Sequence, residues 1–274
     1  MAVKVILLDL DGTLLSTDKT ISPANYAALE RAAAMGVHIV PATGRFYEAM
    51  PAVVRELPFV RYVVTVNGAE IYDAQEKKVL HREELTSEQA IRVYEYLEQL
   101  PTICDAYVEG WGYMDRTHYQ RIDDYTPVPY VRTMLKELRT PVDDMKALLS
   151  GRTVQKVMAF FKDMDIRARE LERVPGLFPD TAVSSSILNN IEVNAAKANK
   201  GGALVNLCAV LGVEVKDSMA FGDGSNDLTM IQTAGIGVAM GNAYQGLKDV
   251  ADFVTLTCDE DGVAHAVEKF VFQA

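Results

Sequence analysis

Val3-Lys4-Val5-Ile6-Leu7-Leu8 runs straight into Asp9-Leu10-Asp11-Gly12-Thr13-Leu14. The first half is a short β-branched and leucine run without polar alternation, the pattern of a strand buried on both faces. Gly12 permits a sharp backbone turn after it. Two carboxylates therefore stand at the carboxyl end of a central strand.

Reading outward, Ser22-Pro23 is a helix start and Gly36 a helix stop, and Val37–Val40 is a second apolar strand that ends at Ala42-Thr43-Gly44-Arg45. Strand, helix and strand in this order require a parallel sheet with right-handed crossovers, and such sheets bind ligands beyond the carboxyl ends of their strands. The same grammar returns late in the chain. Ala203, Leu204, Leu207, Cys208 and Leu211 mark a helix face that stops at Gly212. Met219–Phe221 is the next strand and exits into Gly222-Asp223-Gly224-Ser225-Asn226-Asp227, a turn that opens a helix. Strands at Ile236–Ala239 and Phe253–Leu256 follow.

The pattern changes over residues 85–193. Thr86-Ser87-Glu88-Gln89 is a capping box, and Ala90, Val93, Tyr94, Leu97 and Leu100 form the inward face of the helix behind it. Strands are expected at Tyr107–Glu109, Tyr113–Arg116, Val154–Phe161, Ala182–Ile187 and Ile191–Val193, backed by helices near Asp143–Leu149 and Ile166–Val174. Thr140–Asp144 reads as a polar loop. This stretch is a second domain inserted into the first, giving residues 1–84 and 194–274 as the core and 85–193 as the insert. The chain of 274 residues allows one or two domains.

Composition narrows the function classes. Acidic residues number 38 against 27 basic ones, and a net charge of −11 with no basic run excludes a phosphate backbone or an anionic membrane surface as a partner. Cys104, Cys208 and Cys258 are widely spaced and odd in number, which fits neither a disulfide framework nor zinc ligands, and suits a reducing cytoplasm. Asp9 interrupts the first apolar run too early for a signal or spanning segment. Nothing specifies the oligomeric state, monomer or dimer.

Asp9 and Asp11 repel one another unless something positive intervenes, and hard oxygen ligands completed by water and substrate are what magnesium prefers. Asp223 would be the third protein ligand, with Asp227 one helical turn on to orient ligands. Each turn, taken alone, is also an ordinary acidic turn or capped helix start. Thr43 and Gly44 offer a hydroxyl and open backbone N–H groups where a helix start would hold phosphate oxygens, or where Thr43 would simply cap. Lys200 precedes a helix, where the dipole disfavours a cation unless an anion is near. Arg45 reaches either a substrate phosphate or a core carboxylate. Trp111, Tyr113, Met114, Arg116 and His118 are either ligand-facing or core residues.

Four stretches together, Asp9-Leu10-Asp11-Gly12-Thr13-Leu14, Ala42-Thr43-Gly44-Arg45, Lys200-Gly201-Gly202-Ala203-Leu204 and Gly222-Asp223-Gly224-Ser225-Asn226-Asp227, resemble in kind and order the motifs of haloacid dehalogenase superfamily phosphatases. Asn67-Gly68-Ala69 and Asp261-Gly262-Val263-Ala264 resemble the Cof-like subgroup. That resemblance implies an α/β fold, a Rossmann-like parallel-sheet core with an inserted α+β cap of type IIB. It implies a phosphatase acting on small phosphorylated metabolites, since a cap would exclude large substrates. It makes Asp9 the nucleophile and Asp11 the acid and base. Asp9, the main-chain carbonyl of Asp11 and Asp223 would hold Mg2+, with Asp227 behind them. Thr43, the main chain of Leu10 and Gly44, Lys200, Asn226 and Arg45 would surround the phosphoryl oxygens. A phosphosugar mutase and a silent metabolite sensor share these motifs. A dinucleotide-binding dehydrogenase does not fit, because no Gly-x-Gly-x-x-Gly follows the first strand. Pro51 predicts a kink or a delayed start in the helix after Arg45.

Overall fold

The computed structural model describes residues 2–273. These divide into two compact units, one holding the chain up to Arg45, Met50–Arg82 and the chain from Asn199, the other Phe46–Ala49 and Glu83–Ala198.

In the first unit a five-stranded sheet runs in the order Phe253–Val254, Ile236–Ala239, Ser218–Gly222, Val5–Leu8, His38–Pro41, every pair parallel. Val5–Leu8 is central and fully buried, as its unbroken apolar run demands. Burying one such side chain contributes about 1.5–3 kcal/mol. Leu8 pairs with Phe221 on one side and Pro41 on the other, so Asp9, Ala42 and Asp223, the first residues beyond their strands, leave the sheet at its carboxyl end. Leu204, Leu207 and Cys208 of the Lys200–Leu211 helix pack with Val5, Leu7, Val40 and Ala220. That helix ends at Gly212 with φ of 66°, a left-handed stop. The Pro23–Ala34 helix starts on Ser22, whose side chain accepts from the N–H of Asn25. A three-stranded antiparallel sheet, Tyr62–Thr65, Glu70–Asp73 and Lys78–Arg82, extends this unit through parallel bridges from Val60 to Ile39 and Val64 to Ala42.

The second unit is built on six strands in the order Thr181–Ser184, Asn190–Ala195, Lys156–Phe161, Thr102–Val108, Trp111–Asp115, Arg139–Val142. All pairs are antiparallel except the last, which is parallel. The capping box at Thr86 and Gln89 forms as expected and opens the Ser87–Glu98 helix. Met145–Leu149 and Met164–Leu177 are further helices of this unit. The expected strand at Tyr107–Glu109 is the end of a longer one, joined to Trp111–Asp115 through Glu109 and Gly110, both at positive φ. Thr140–Asp144, expected as a loop, contributes an edge strand. Pro141 obscures it in the sequence but is tolerated at a sheet edge. The Arg139 guanidinium is buried against the Asp105 carboxylate, and Lys156 lies 3.2 Å from Glu192.

Pro51 does delay a helix. A single 3-10 turn at Tyr47–Ala49 follows Arg45, and helix resumes only at Ala52–Arg55. Among the described residues no helix is long and apolar enough to cross a membrane.

Candidate active site

Asp9 is the first residue beyond the central strand, its N–H bonded to the carbonyl of Phe221. Its carboxylate is nearly buried, and Oδ1 accepts from Lys200 Nζ at 2.5 Å. The same ammonium reaches Asp227 Oδ1 at 2.6 Å. Lys200 is fully buried at the start of its helix, where two anions offset the unfavourable dipole. Asp227 Oδ2 accepts from the backbone N–H groups of Asp223 and Gly224, both at 2.9 Å, which fixes the turn between them. Thr13 donates to Asp223 Oδ1 at 3.0 Å. Gly12 has φ of +88°, and a Cβ there would lie 2.5 Å from Asp223 Oδ2, so only glycine lets this turn pass the carboxylate.

One oxygen from each of Asp9, Asp223 and Asp227 falls within 4.8 Å of the others. Three carboxylates share one ammonium, so a surplus of negative charge remains. Burial first, and then the neighbouring Asp227 and Asp223 carboxylates, raise the Asp9 pKa well above its ordinary value against the pull of Lys200. Burial and Asp227 push Asp223 up to about 6. Burial works against the Lys200 charge, yet Asp227 and Asp9 hold its pKa above the usual lysine value. Asp227 has both oxygens committed to Lys200 and the backbone, whereas Oδ2 of Asp9 and Oδ2 of Asp223 take no hydrogen bond from the described residues. An all-oxygen donor set with excess negative charge fits a hard divalent cation.

The Asp11 carboxylate lies outside the acidic triad: Oδ2 accepts from Arg45 Nε and Nη2 at 3.0 and 2.8 Å, and Oδ1 from Lys19 Nζ at 2.8 Å. The two carboxylates of the Asp-x-Asp pair thus relieve their repulsion through separate cations. Burial alone would raise the Asp11 pKa, but Arg45 and Lys19 outweigh it and hold it below the ordinary value. Lys19 sits at φ of 60° in a tight turn closed by Ser16 and Thr20, and Thr17 ties that turn to Asp259 through its N–H and hydroxyl at 2.8 and 2.7 Å.

Thr43 is buried, and no helix begins there. Its Oγ1 accepts from the N–H of Arg45 at 3.2 Å, so the hydroxyl closes a turn and is not a helix cap. The expected helix N-terminus at Thr43 and Gly44 is absent because Pro51 postpones the helix. Leu10 is fully buried, and its carbonyl accepts from Thr13 and Leu15, which curls the chain behind Asp9. Asn226 Nδ2 donates to Asn67 Oδ1 at 3.2 Å, joining the loop after Gly222 to the turn after Thr65. Lys19, Thr13 and Asn67 carry no role in the sequence reading. The only local signal was the turn chemistry of Asn67-Gly68, since their partners lie up to 210 residues away.

Residues 6–267 match the family model described as haloacid dehalogenase-like hydrolase. The Bacillus subtilis 5-amino-6-(5-phospho-D-ribitylamino)uracil phosphatase YcsE is 31% identical over 273 residues, covering 98% of this chain and 96% of that protein. The Bacillus subtilis phosphatase YwpJ is 29% identical over 299 residues, covering 98% of this chain and all of its own length, 100%. A solved haloacid dehalogenase-like hydrolase from B. subtilis superposes with a TM-score of 0.82 at 28% identity, covering 97% of this chain and 99% of the other. The subclass IIB sugar phosphatase BT4131 superposes at 0.81 with 25% identity, covering 97% and 98%.

Proposed function

The chain belongs to the haloacid dehalogenase-like hydrolases, and from that premise we propose that it is a magnesium-dependent phosphomonoester hydrolase working through a phosphoryl group carried by Asp9. It is a Cof-like phosphatase of small phosphorylated metabolites. The observation that carries the finer reading is the pairing of Asp9 with the buried Lys200, beside the open oxygens of Asp9 and Asp223.

In the proposed reaction an oxygen of Asp9 attacks phosphorus, and the bond to the ester oxygen breaks. Asp11 gives its proton to that leaving oxygen. Water then attacks the phosphorus of the aspartyl phosphate and yields a proton to Asp11, and the Asp9 carboxylate is restored. Arg45 and Lys19 hold Asp11 ionised here, the form that the second half needs. The first half needs the carboxyl protonated, so at least one of these contacts loosens when substrate arrives. Lys200, Asn226 and the backbone of Leu10 and Gly44 would face the phosphoryl oxygens, with the Thr43 hydroxyl beside them. Asp9, Asp223 and the Asp11 carbonyl would hold magnesium, with Asp227 behind them, and the ion would supply charge neutralisation at phosphorus.

The division of the chain at Arg82 and Asn199 supports reading 1–84 and 194–274 as the hydrolase core and 85–193 as the cap. The substrates for which two relatives are named, a ribitylaminouracil phosphate and a sugar phosphate, favour a polyol or sugar phosphate substrate. Three free, buried thiols support a cytoplasmic setting. The test is phosphate release from a panel of sugar, polyol, nucleotide and cofactor phosphates, with magnesium or with chelator. Release that needs magnesium is expected. Undiminished release in chelator, or an isomeric sugar phosphate formed without free phosphate, would overturn the reading.

A further inference from the structure

After Thr65 the chain passes through Val66, Asn67 and Gly68 at φ of +50°, +59° and +100°. Glycine adopts this left-handed region freely and asparagine tolerates it, but a β-branched valine there is an outlier held only by its surroundings. Those surroundings are visible. Val66 N–H donates to the carbonyl of Arg45 and Asn67 N–H to that of Thr43, each at 2.9 Å, so the turn is clasped to the chain on both sides of Gly44. A Cβ on Gly68 would lie 2.4 Å from the Asn199 carbonyl, which fixes the turn against the start of the Lys200 helix.

Asn67 is 3% exposed and lies between the two loops. Its Oδ1 accepts from Asn226 Nδ2 at 3.2 Å, and the same oxygen would be 2.8 Å from a Cβ on Gly44. One side-chain amide thus spaces the Asn226 side chain and the Gly44 backbone, groups that come from different strand ends. Strained positions of this kind cluster at ligand sites, where the strain presents a group that a relaxed turn would not.

We propose that Asn67 is a positioning residue for a tetrahedral oxyanion: the left-handed Val66–Gly68 turn presents its amide so that Asn226 and Gly44 are held at the separation a phosphoryl group requires. The inference deepens the phosphatase reading and rests on it. The ligand class is the phosphoryl group of the substrate and its product, inorganic phosphate.

Asn67→Gly removes the amide and keeps a backbone at ease with positive φ. Titration calorimetry with inorganic phosphate, in magnesium, is expected to show about tenfold weaker binding by protein that still unfolds cooperatively, the usual size for loss of an orienting partner. KM is expected to rise more than kcat falls. Asn226→Ala is expected to lose a similar factor, and the double variant no more than the weaker single, since one residue acts through the other. Phosphate binding within twofold of wild type in Asn67→Gly, or a double variant that loses the product of both factors, overturns the inference. Should Asn67→Gly fail to fold, Asn226→Ala carries the test, since Asn67 acts through Asn226; phosphate binding within twofold of wild type in that variant overturns the inference. Wild-type protein that neither binds phosphate nor releases it overturns this inference together with the phosphatase reading. An active wild type with an unaltered Asn67→Gly overturns this inference alone.

Discussion

Replacing Lys200 by methionine keeps an apolar stem of similar length but leaves Asp9 and Asp227 without their shared ammonium. Nζ is fully buried, 2.5 Å from one carboxylate and 2.6 Å from the other. Removing one partner of a buried ion pair costs about 3–5 kcal/mol, because the remaining charge stays desolvated. Protonating one carboxylate at pH 7, from an ordinary pKa of 3.8, caps that cost at about 4 kcal/mol, at roughly 1.36 kcal/mol per unit. Urea unfolding in chelator, followed by circular dichroism, is therefore expected to show Lys200→Met less stable by about 4 kcal/mol at pH 7. The sign of the pH dependence follows from the same proton. Burial and Asp227 already raise Asp9, and without Lys200 its folded-state value rises further, so the folded variant binds a proton that the unfolded chain releases. Such a group adds stability as pH falls, and the deficit against wild type shrinks between pH 7 and 5 by at most about 1.4 kcal/mol per unit. A loss under about 1 kcal/mol at pH 7, or a deficit that grows on acidification, would show that Lys200 does not neutralise the Asp9 and Asp227 pair.

Gly12→Ala places a methyl 2.5 Å from Asp223 Oδ2 at a φ of +88°, so phosphate release is expected to fall at least about 100-fold with the circular dichroism spectrum retained; activity within threefold of wild type would contradict the close approach. Asp11→Asn keeps the Asp9 and Lys200 pair but cannot carry the proton, and its kcat is expected to drop about 10²–10⁴-fold; a rate near wild type would remove Asp11 from the reaction. Burial raises all three thiols, Cys104 to about 12, so an aromatic disulfide reagent at pH 8 is expected to label none of them within minutes in the native protein and all three in urea. Rapid native labelling of any one would show that the packing around it opens.

Val5–Leu8 was legible because an unbroken apolar run has few other homes than the middle of a parallel sheet. Asp9, Lys200, Asp223 and Asp227 were legible as polar residues at the exits of such runs and at a helix start. Their division of labour was not. Spacing alone brought Asp9 and Asp11 together, whereas the fold hands Asp11 to Lys19 and Arg45 and gives Asp9 to Lys200, 191 residues away. The anchoring of the Lys19 turn to Asp259 spans 242 residues, which no local pattern encodes. The helix start expected at Thr43 gave way to the delay that Pro51 predicts, so the proline was the legible signal and the cap was not. Arg139–Val142 was hidden by a proline that only an edge strand accepts. Val66 could not be read at all, since nothing local predicts a valine at positive φ; two backbone bonds from a neighbouring loop impose it.

In the proposed reaction the phosphoryl group passes through Asp9. Rapid acid quench during turnover of the best substrate, followed by peptide mass spectrometry, measures it directly. The peptide that contains Asp9 is expected to gain the mass of one phosphoryl group in wild-type protein and to gain nothing in Asp9→Asn protein, which is expected to be inactive. Turnover with no phosphoryl group on that peptide at any quench time, or undiminished turnover by Asp9→Asn, would contradict it.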